Sequence, residues 1–366
     1  MRLKIKKILV IFVRLIYRFL FNNIVAGMPL NAVRSLIEVV EVSTVREHIV
    51  ESSLFRDAMI ECYNFPKEYP KYFQRKKAFD ARYVYKLKNV VVSPHSGLCW
   101  IKEGKVFIES VGSIQRIMGW GANLLEISCA RRLTDTSNVV CFPDAGYFHW
   151  LLEALPVIIY VKHLYPAIKI LTTQEQNKYH KEVLEILFKD EIYENIIRSN
   201  APLKIENYIL PSMEPYSGFI TKFEIGLLRK TFLPMIKVPK GENKIYISRS
   251  RTKKRMLSNE IKLEKELENL GFEIIHMGTI TFLQQVETIN NADIIIAPHG
   301  AGLANLSFAK ERSKVLEIFP HHLYNDCFAR LAMNIGLKYT HMRCGYDKNS
   351  AGIIPINEVL ENTAQL

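Results

Sequence analysis

The stretch 294-IIIAPHGAGLANLSFA-309 decides how this chain is read. Three isoleucines run into Pro298, His299 follows, two glycines stand one residue apart, and an apolar run begins. Alone, the stretch reads as a strand, a tight turn and the start of a helix.

Its neighbours turn that local reading into a fold. KIYISRS (244–250) alternates apolar and polar residues. A helix over 259–270 ends at Gly271, a C-terminal cap. FEIIHM is a strand, and a helix over 281–291 opens with Thr281 and Gln284 at capping-box spacing. DIIIA, a helix over 302–309, KVLEIF, a helix over 324–336 and KYTHM complete the pattern. Five strands alternating with four helices need crossover connections, so they imply a parallel sheet wrapped on both faces.

Upstream, the alternation is rougher. NVVCF, AIKILTT and LKIENYILP read as strands, and 147–163, EQNKYHKEVLEILF and 218–233 read as helices. Residues 81–128 carry short strands with turns at Pro94 and Gly104. The expected fold class is α/β: two Rossmann-like parallel-sheet domains facing a cleft, behind a basic helical extension. The expected boundaries are 1–80 for the extension, 81–235 and 236–350 for the domains, and 351–366 for a tail returning toward the first domain.

Composition sets limits on partners. The chain has 366 residues, 48% hydrophobic and 23% charged, which suits two packed cores. Its net charge of +12 favours an anionic partner. Six cysteines never stand in C-x-x-C spacing, so neither a zinc knuckle nor a redox pair is indicated, and their scatter reads as reduced thiols. The first seven residues hold four Lys/Arg. Arg14 and Arg18 interrupt the apolar run behind them, so 1–25 reads as an amphipathic helix that lies on an anionic membrane surface or packs on the protein. Nucleic acid is disfavoured, because the basic residues gather at strand ends without interleaved aromatics.

In an open α/β sheet, ligands sit beyond the carboxyl ends of the strands. Three segments end there. In SRSRTKKR (248–255), Ser248 and Arg249 leave a strand, and five cations occupy 249–255, among them Arg255. Arginine forks suit phosphate oxygens, although a solvated basic loop has the same composition. Gly300 and Gly302 let backbone approach a ligand closely, and the helix beginning near Gly302 offers free N–H groups. His299 can donate to a phosphate or sugar oxygen. Glu317 interrupts an apolar strand, placed either to accept from a ribose or to pair with a local arginine. Upstream, in FPDAGYFHWLLEALP (142–156), His149 and Glu153 share a helical face and Asp144 precedes it. Glu153 is a candidate general base, with Asp144 as its rival.

As an ordered set these segments resemble glycosyltransferase family 61. The resemblance rests on Y-x-H-x-x-x-[DE] (Tyr147, His149, Glu153) and S-R-x5-R-x3-N-E (Ser248, Arg249, Arg255, Asn259, Glu260). It continues in H-G-A-G-L-x-N (His299, Gly300, Ala301, Gly302, Asn305) and V-x-E-I (Val315, Glu317, Ile318). It implies a GT-B fold and a nucleotide-sugar donor held by the C-terminal half. It also implies inversion at the anomeric carbon, no cofactor and no divalent metal. Arg249 and Arg255 would neutralise the donor diphosphate, 299–305 would cradle it, Glu317 would meet the nucleoside, and Glu153 would activate the acceptor hydroxyl. Glu153 stands where other members often carry Asp. The expected acceptor is a surface polysaccharide or lipid-linked glycan, at the cytoplasmic face of the plasma membrane. Two other readings stay open: a polysaccharide pyruvyltransferase-like enzyme on the same fold, and a non-catalytic nucleotide- or glycan-binding module.

Overall fold

The computed structural model describes residues 39–40, 49–56, 82–101, 105–110, 130–143, 145–174, 176–212, 218–237, 243–252, 257–320, 325–346 and 352–365. Asp144, Arg255 and the basic stretch 1–25 lie outside them. The chain divides into two compact units, the second holding the described residues of 218–366 together with 146–152.

The first unit is built on a ten-stranded sheet. Its strands are β1 (Val39–Val40), β2 (Ile49–Arg56), β3 (Arg82–Val92), β4 (Cys99–Trp100), β5 (Val106–Phe107), β6 (Arg131–Arg132), β7 (Val139–Cys141), β8 (Lys169–Thr172), β9 (Ile196–Arg198) and β10 (Leu203–Pro211). Only part of it is Rossmann-like. β10, β7, β8 and β9 pair in parallel, with α1 (Leu155–Leu164) and α2 (Lys178–Phe188) as crossovers. The eleven-residue β3 then pairs antiparallel with β10, β2 and β4. This corrects two expectations: the first sheet is mixed rather than parallel, and the described residues of 1–80, a segment expected to be helical, are two of its strands. Its core joins both parts, with Leu87, Val90, Val139, Leu171, Ile205 and Tyr208 buried together.

The second unit fulfils the parallel reading. α3 (Lys222–Phe232) leads to β11 (Lys244–Ile247), α4 (Glu260–Asn269), β12 (Glu273–Ile275), α5 (Phe282–Asn291) and β13 (Ile294–Pro298). A 3-10 helix (Ala301–Phe308), β14 (Lys314–Phe319), α6 (Cys327–Ile335), β15 (Lys338–Arg343) and α7 (Ile356–Gln365) follow. The strand order is β12-β11-β13-β14-β15, all parallel. The expected capping box forms, Thr281 with Gln284. Gly271 takes φ +80°, the left-handed value that ends a helix most cheaply with glycine.

Two boundaries move. Residues 218–235 belong with the second unit, where α3 follows its own capping box of Thr221 and Glu224. Residues 352–365 also stay there: Val359 and Ile354 are buried in the cluster of Tyr246, Leu263, Ile296 and Leu316. Asn259 locks the segment by exchanging two 2.8 Å hydrogen bonds with the Ile354 backbone. The apolar spacing of α7 is legible in the sequence; a tail returning to the first domain is not what it forms.

Candidate active site

The strand order of the second unit reverses direction between β11 and β13. The chain leaves β11 outward to β12, then returns past it to β13. At such a switch point the two flanking helices diverge and leave a crevice at the carboxyl ends of the strands. Arg249 stands two residues beyond β11, and His299 and Gly300 directly follow β13. The fold therefore brings two distant sequence motifs to one crevice.

Arg249 lies against Gly300. A Cβ built on Gly300 would fall 2.0 Å from Arg249 Nη1 and 3.0 Å from its Cζ. The missing side chain at 300 is thus room for the guanidinium. Gly302 serves the packing instead. A Cβ there would meet Ile247 at 3.2 Å and Met277 at 3.5 Å, so the bare backbone lets the turn sit close to the sheet.

The base of the Arg249 loop is fixed by Glu260. Its Oε1 accepts from the Arg249 backbone N–H at 2.7 Å and from the Tyr246 hydroxyl at 3.0 Å. Glu260 is 1% exposed. Burial pushes its carboxyl above the ordinary glutamate value, and these two donors pull it partly back. Ser248 Oγ donates to Glu264 and accepts from the Ser250 backbone. Ser248 and Glu260 consequently shape the loop that carries Arg249.

Across the switch point, the His299 backbone N–H donates to the Ile318 carbonyl at 2.8 Å, extending the sheet by one residue. Its Nδ1 pairs with Glu317 Oε1, and the Tyr339 hydroxyl donates to Glu317 Oε2. The imidazole stacks on Phe319 at 5.2 Å and meets Phe328 at 5.1 Å. Glu317 is completely buried, so its two oxygens reach His299 and Tyr339 within the protein. It is not positioned as a solvent-facing nucleoside contact.

The 3-10 helix that follows is buried almost throughout. Leu303, Ala304, Leu306 and Phe308 are at most 1% exposed. Phe308, Phe282 and Phe232 pack edge to face within 6.2 Å of one another, and Trp150 joins through Phe282 at 6.0 Å. Asn305 is fully buried. Its Oδ1 lies 2.7 Å from the Tyr147 hydroxyl, which is also 2.9 Å from Gln285 Oε1. Its Nδ2 donates to Gln285 Oε1 and the Gly302 carbonyl. Asn305 and Tyr147 are struts that pin residues 146–152 to the loop after β13. Tyr147 and Trp150 supply what sequence reasoning left out: why the first motif precedes the others by a hundred residues yet belongs with them.

The helix from 147 to 164 changes register at its start. It is α over Tyr147–His149, π over Trp150–Ala154 and α again from Leu155. A π turn adds a residue, so the i, i+4 alignment expected of His149 and Glu153 does not carry over. The division between the units falls inside this turn, with His149 on the side of the second unit and Glu153 on the side of the first. His149 is exposed and meets Phe148 edge to face at 5.3 Å, whereas Glu153 is half-buried. π turns recur where helices carry function.

Two comparisons bear on this geometry. The family model described as Glycosyltransferase 61 matches residues 147–316, from the Tyr147 strut to the strand that carries Glu317. The chain is also 33% identical over 131 residues to the EGF domain-specific O-linked N-acetylglucosamine transferase of Drosophila melanogaster. That stretch covers 34% of this chain and 24% of the Drosophila protein.

Proposed function

From the match of residues 147–316 to the Glycosyltransferase 61 model, we propose that the chain belongs to that family and moves a sugar from a nucleotide-sugar donor to a glycan or lipid-linked glycan acceptor. The observation that carries this reading is the Arg249 guanidinium lying over Gly300, beside His299, at the β11/β13 switch point. A diphosphate leaving group needs its developing charge stabilised. Arginine and histidine N–H groups in a pre-formed crevice supply that work without a metal ion. In this reading the enzyme is of GT-B type, inverts the anomeric carbon, and uses Glu153 as the base on the acceptor hydroxyl. Arg255 adds a second cation to the diphosphate, and 1–25 holds the protein at an anionic membrane surface.

The name of the Drosophila relative makes a nucleotide-activated N-acetylglucosamine the first donor to test, and a protein hydroxyl a second acceptor class beside glycans. The test is a panel of nucleotide sugars, each assayed by thermal shift and by release of nucleoside diphosphate in EDTA. The expected result is one donor that raises Tm and is consumed when acceptor is present. No consumption of any nucleotide sugar, with turnover of phosphoenolpyruvate instead, would favour the pyruvyltransferase reading. Donor binding without turnover, unchanged in Glu153→Gln, would favour a binding module.

A further inference from the structure

Three of the five strands of the second sheet begin on lysine, and register sets those lysines in one row. Lys244 of β11, Ile294 of β13, Lys314 of β14 and Lys338 of β15 pair in sequence at the amino ends of four adjacent strands. Tyr246, Leu316 and Met342 lie an even number of residues further along their strands and are buried in the cluster under α4 and α7, so the row faces that side. Neighbouring strands are about 4.8 Å apart, so Lys314 and Lys338 set like charges side by side. A cavity of about 290 Å³ opens at this edge, with Lys244, Asp293, Lys310, Arg312 and Lys314 in its lining. It lies at the opposite end of the sheet from Arg249, roughly 15 Å away along β11.

The protein's own acceptors do not absorb these cations. Asp293 is committed: its Oδ1 pairs with Lys310 at 2.7 Å, and its Oδ2 accepts from the Asn243 backbone N–H at 3.0 Å. Among the described residues, Lys244, Arg312, Lys314 and Lys338 have no carboxylate within ion-pair distance. Lys244 and Lys314 are half-buried rather than splayed into water. Cations are also drawn to helix C-termini, and α5, the 3-10 helix and α6 all end at this edge. Other donors meet their last carbonyls, however. Ser313 Oγ donates to Ala292, Asn290 Nδ2 to Phe308, Arg229 Nη1 to Ser307 and Ala309, and the Arg312 backbone N–H to Gly336.

Arg312 adds a second, independent sign. It is the third residue of a four-residue turn closed by the Ser313 N–H donating to the Lys310 carbonyl at 3.2 Å. Its φ is +68°, in the left-handed region where turn geometry favours glycine. An exposed arginine holds that place instead, and its side chain serves no contact that the turn needs. Backbone held in a costly region marks ligand clamps more often than plain turns.

We propose that the amino edge of the second sheet is a phosphate-binding site, separate from the crevice at the carboxyl edge. Its ligand is a phosphate ester, carried by a soluble molecule or by a lipid headgroup. Lys244 and Lys314 supply half-buried point charges at the wall, Arg312 supplies a planar fork from the turn, and Lys338 extends the positive row. The phosphate relieves the repulsion between neighbouring lysines. The site stands on this edge alone and does not depend on the transferase reading.

The test uses the full chain at low salt, in two arms. In the first, glycerol 3-phosphate is titrated calorimetrically into Arg249→Ala, which removes the cation of the crevice. One saturable site is expected. Adding Arg312→Gly should weaken it at least fivefold without lowering Tm, because glycine suits the positive φ. Adding Lys314→Gln should weaken it in the same direction. A damaged fold would lower Tm along with affinity, so the two readouts separate a binding role from a structural one. In the second arm the chain is sedimented with vesicles of phosphatidylcholine, with and without phosphatidylglycerol. Sedimentation that needs phosphatidylglycerol and falls in Arg312→Gly with Lys314→Gln would identify a lipid headgroup. Sedimentation unchanged by that pair, with glycerol 3-phosphate binding lost, would identify a soluble phosphate ester. If neither probe binds, or if both bind equally well to the altered edge, the proposal is overturned. Both readouts are binding alone, so failure to consume any nucleotide sugar would sink the transferase reading and leave this site standing.

Discussion

Two buried glutamates serve the crevice of the second unit, one on each face of the same sheet. Glu260, at the start of α4, takes a hydrogen bond from Tyr246; Glu317, within β14, takes one from Tyr339. Each has a second partner, and there they differ. Glu260 faces the backbone N–H of Arg249, which cannot gain or lose charge. Glu317 faces the imidazole of His299, which can. The comparison separates scaffold from machinery. A carboxylate that caps a loop has its work done by any acceptor of the same shape, while a carboxylate paired with an imidazole fixes the orientation of that ring.

The largest departure from wild type should come from removing the cation itself. Arg249→Ala should weaken nucleotide-sugar binding roughly 10- to 100-fold, the range of lost charge-assisted hydrogen bonds, as read by calorimetry. Unchanged affinity would remove Arg249 from the site. Gly300→Ala sharpens the point without touching a charge. Its Cβ would fall 2.0 Å from Nη1, at the flexible end of the side chain, so the fold should yield by moving the guanidinium. Donor affinity should fall about tenfold with little change in Tm; wild-type affinity would mean that the resting place of Arg249 is not its working one.

Tyr147→Phe tests the scaffold alone. It removes a hydroxyl shared by buried Asn305 and Gln285, and should cost about 1–3 kcal/mol. Thermal unfolding should show a Tm lower by several degrees, with donor affinity reduced less than in Arg249→Ala. An unchanged Tm would show that residues 146–152 hold their place without this strut.

Glu260→Gln should have the smallest effect, and its sign depends on pH. The folded-state value of Glu260 lies above its unfolded one, chiefly through burial. Its favourable contribution is therefore present below the unfolded value and lost as pH rises through the folded one. Glutamine does not ionise, so the Tm of the variant relative to wild type should improve from pH 4 to pH 7. A relative loss over that range would mean that the ionised carboxylate is what the Arg249 loop requires.

Much of this architecture is written locally. The alternation of strands and helices over 244–343 is enough to imply the parallel sheet, and with it the edge where Arg249 and His299 stand. Capping pairs such as Thr281–Gln284 mark helix starts because their hydrogen bonds close within four residues. What stays illegible depends on partners far apart in the chain. That Gly300 makes room for the protein's own arginine follows from the β11–β13 pairing, not from a Gly-x-Gly pattern. The π turn at Trp150–Ala154 leaves no mark in side-chain spacing. The antiparallel β3 is visible as a strand, but its direction is set by pairing with β10, more than a hundred residues away. Tyr339 does leave a trace: with His341 it places two polar rings on one face of β15, the face that Glu317 shares by register.

The measurement that bears most directly on the central claim is calorimetric titration of nucleotide sugar in EDTA, with the wild-type chain and Arg249→Ala side by side. The switch-point arginine predicts metal-free binding to wild type and a loss of at least tenfold in the variant. Binding that vanishes in EDTA, or that Arg249→Ala leaves untouched, would contradict it.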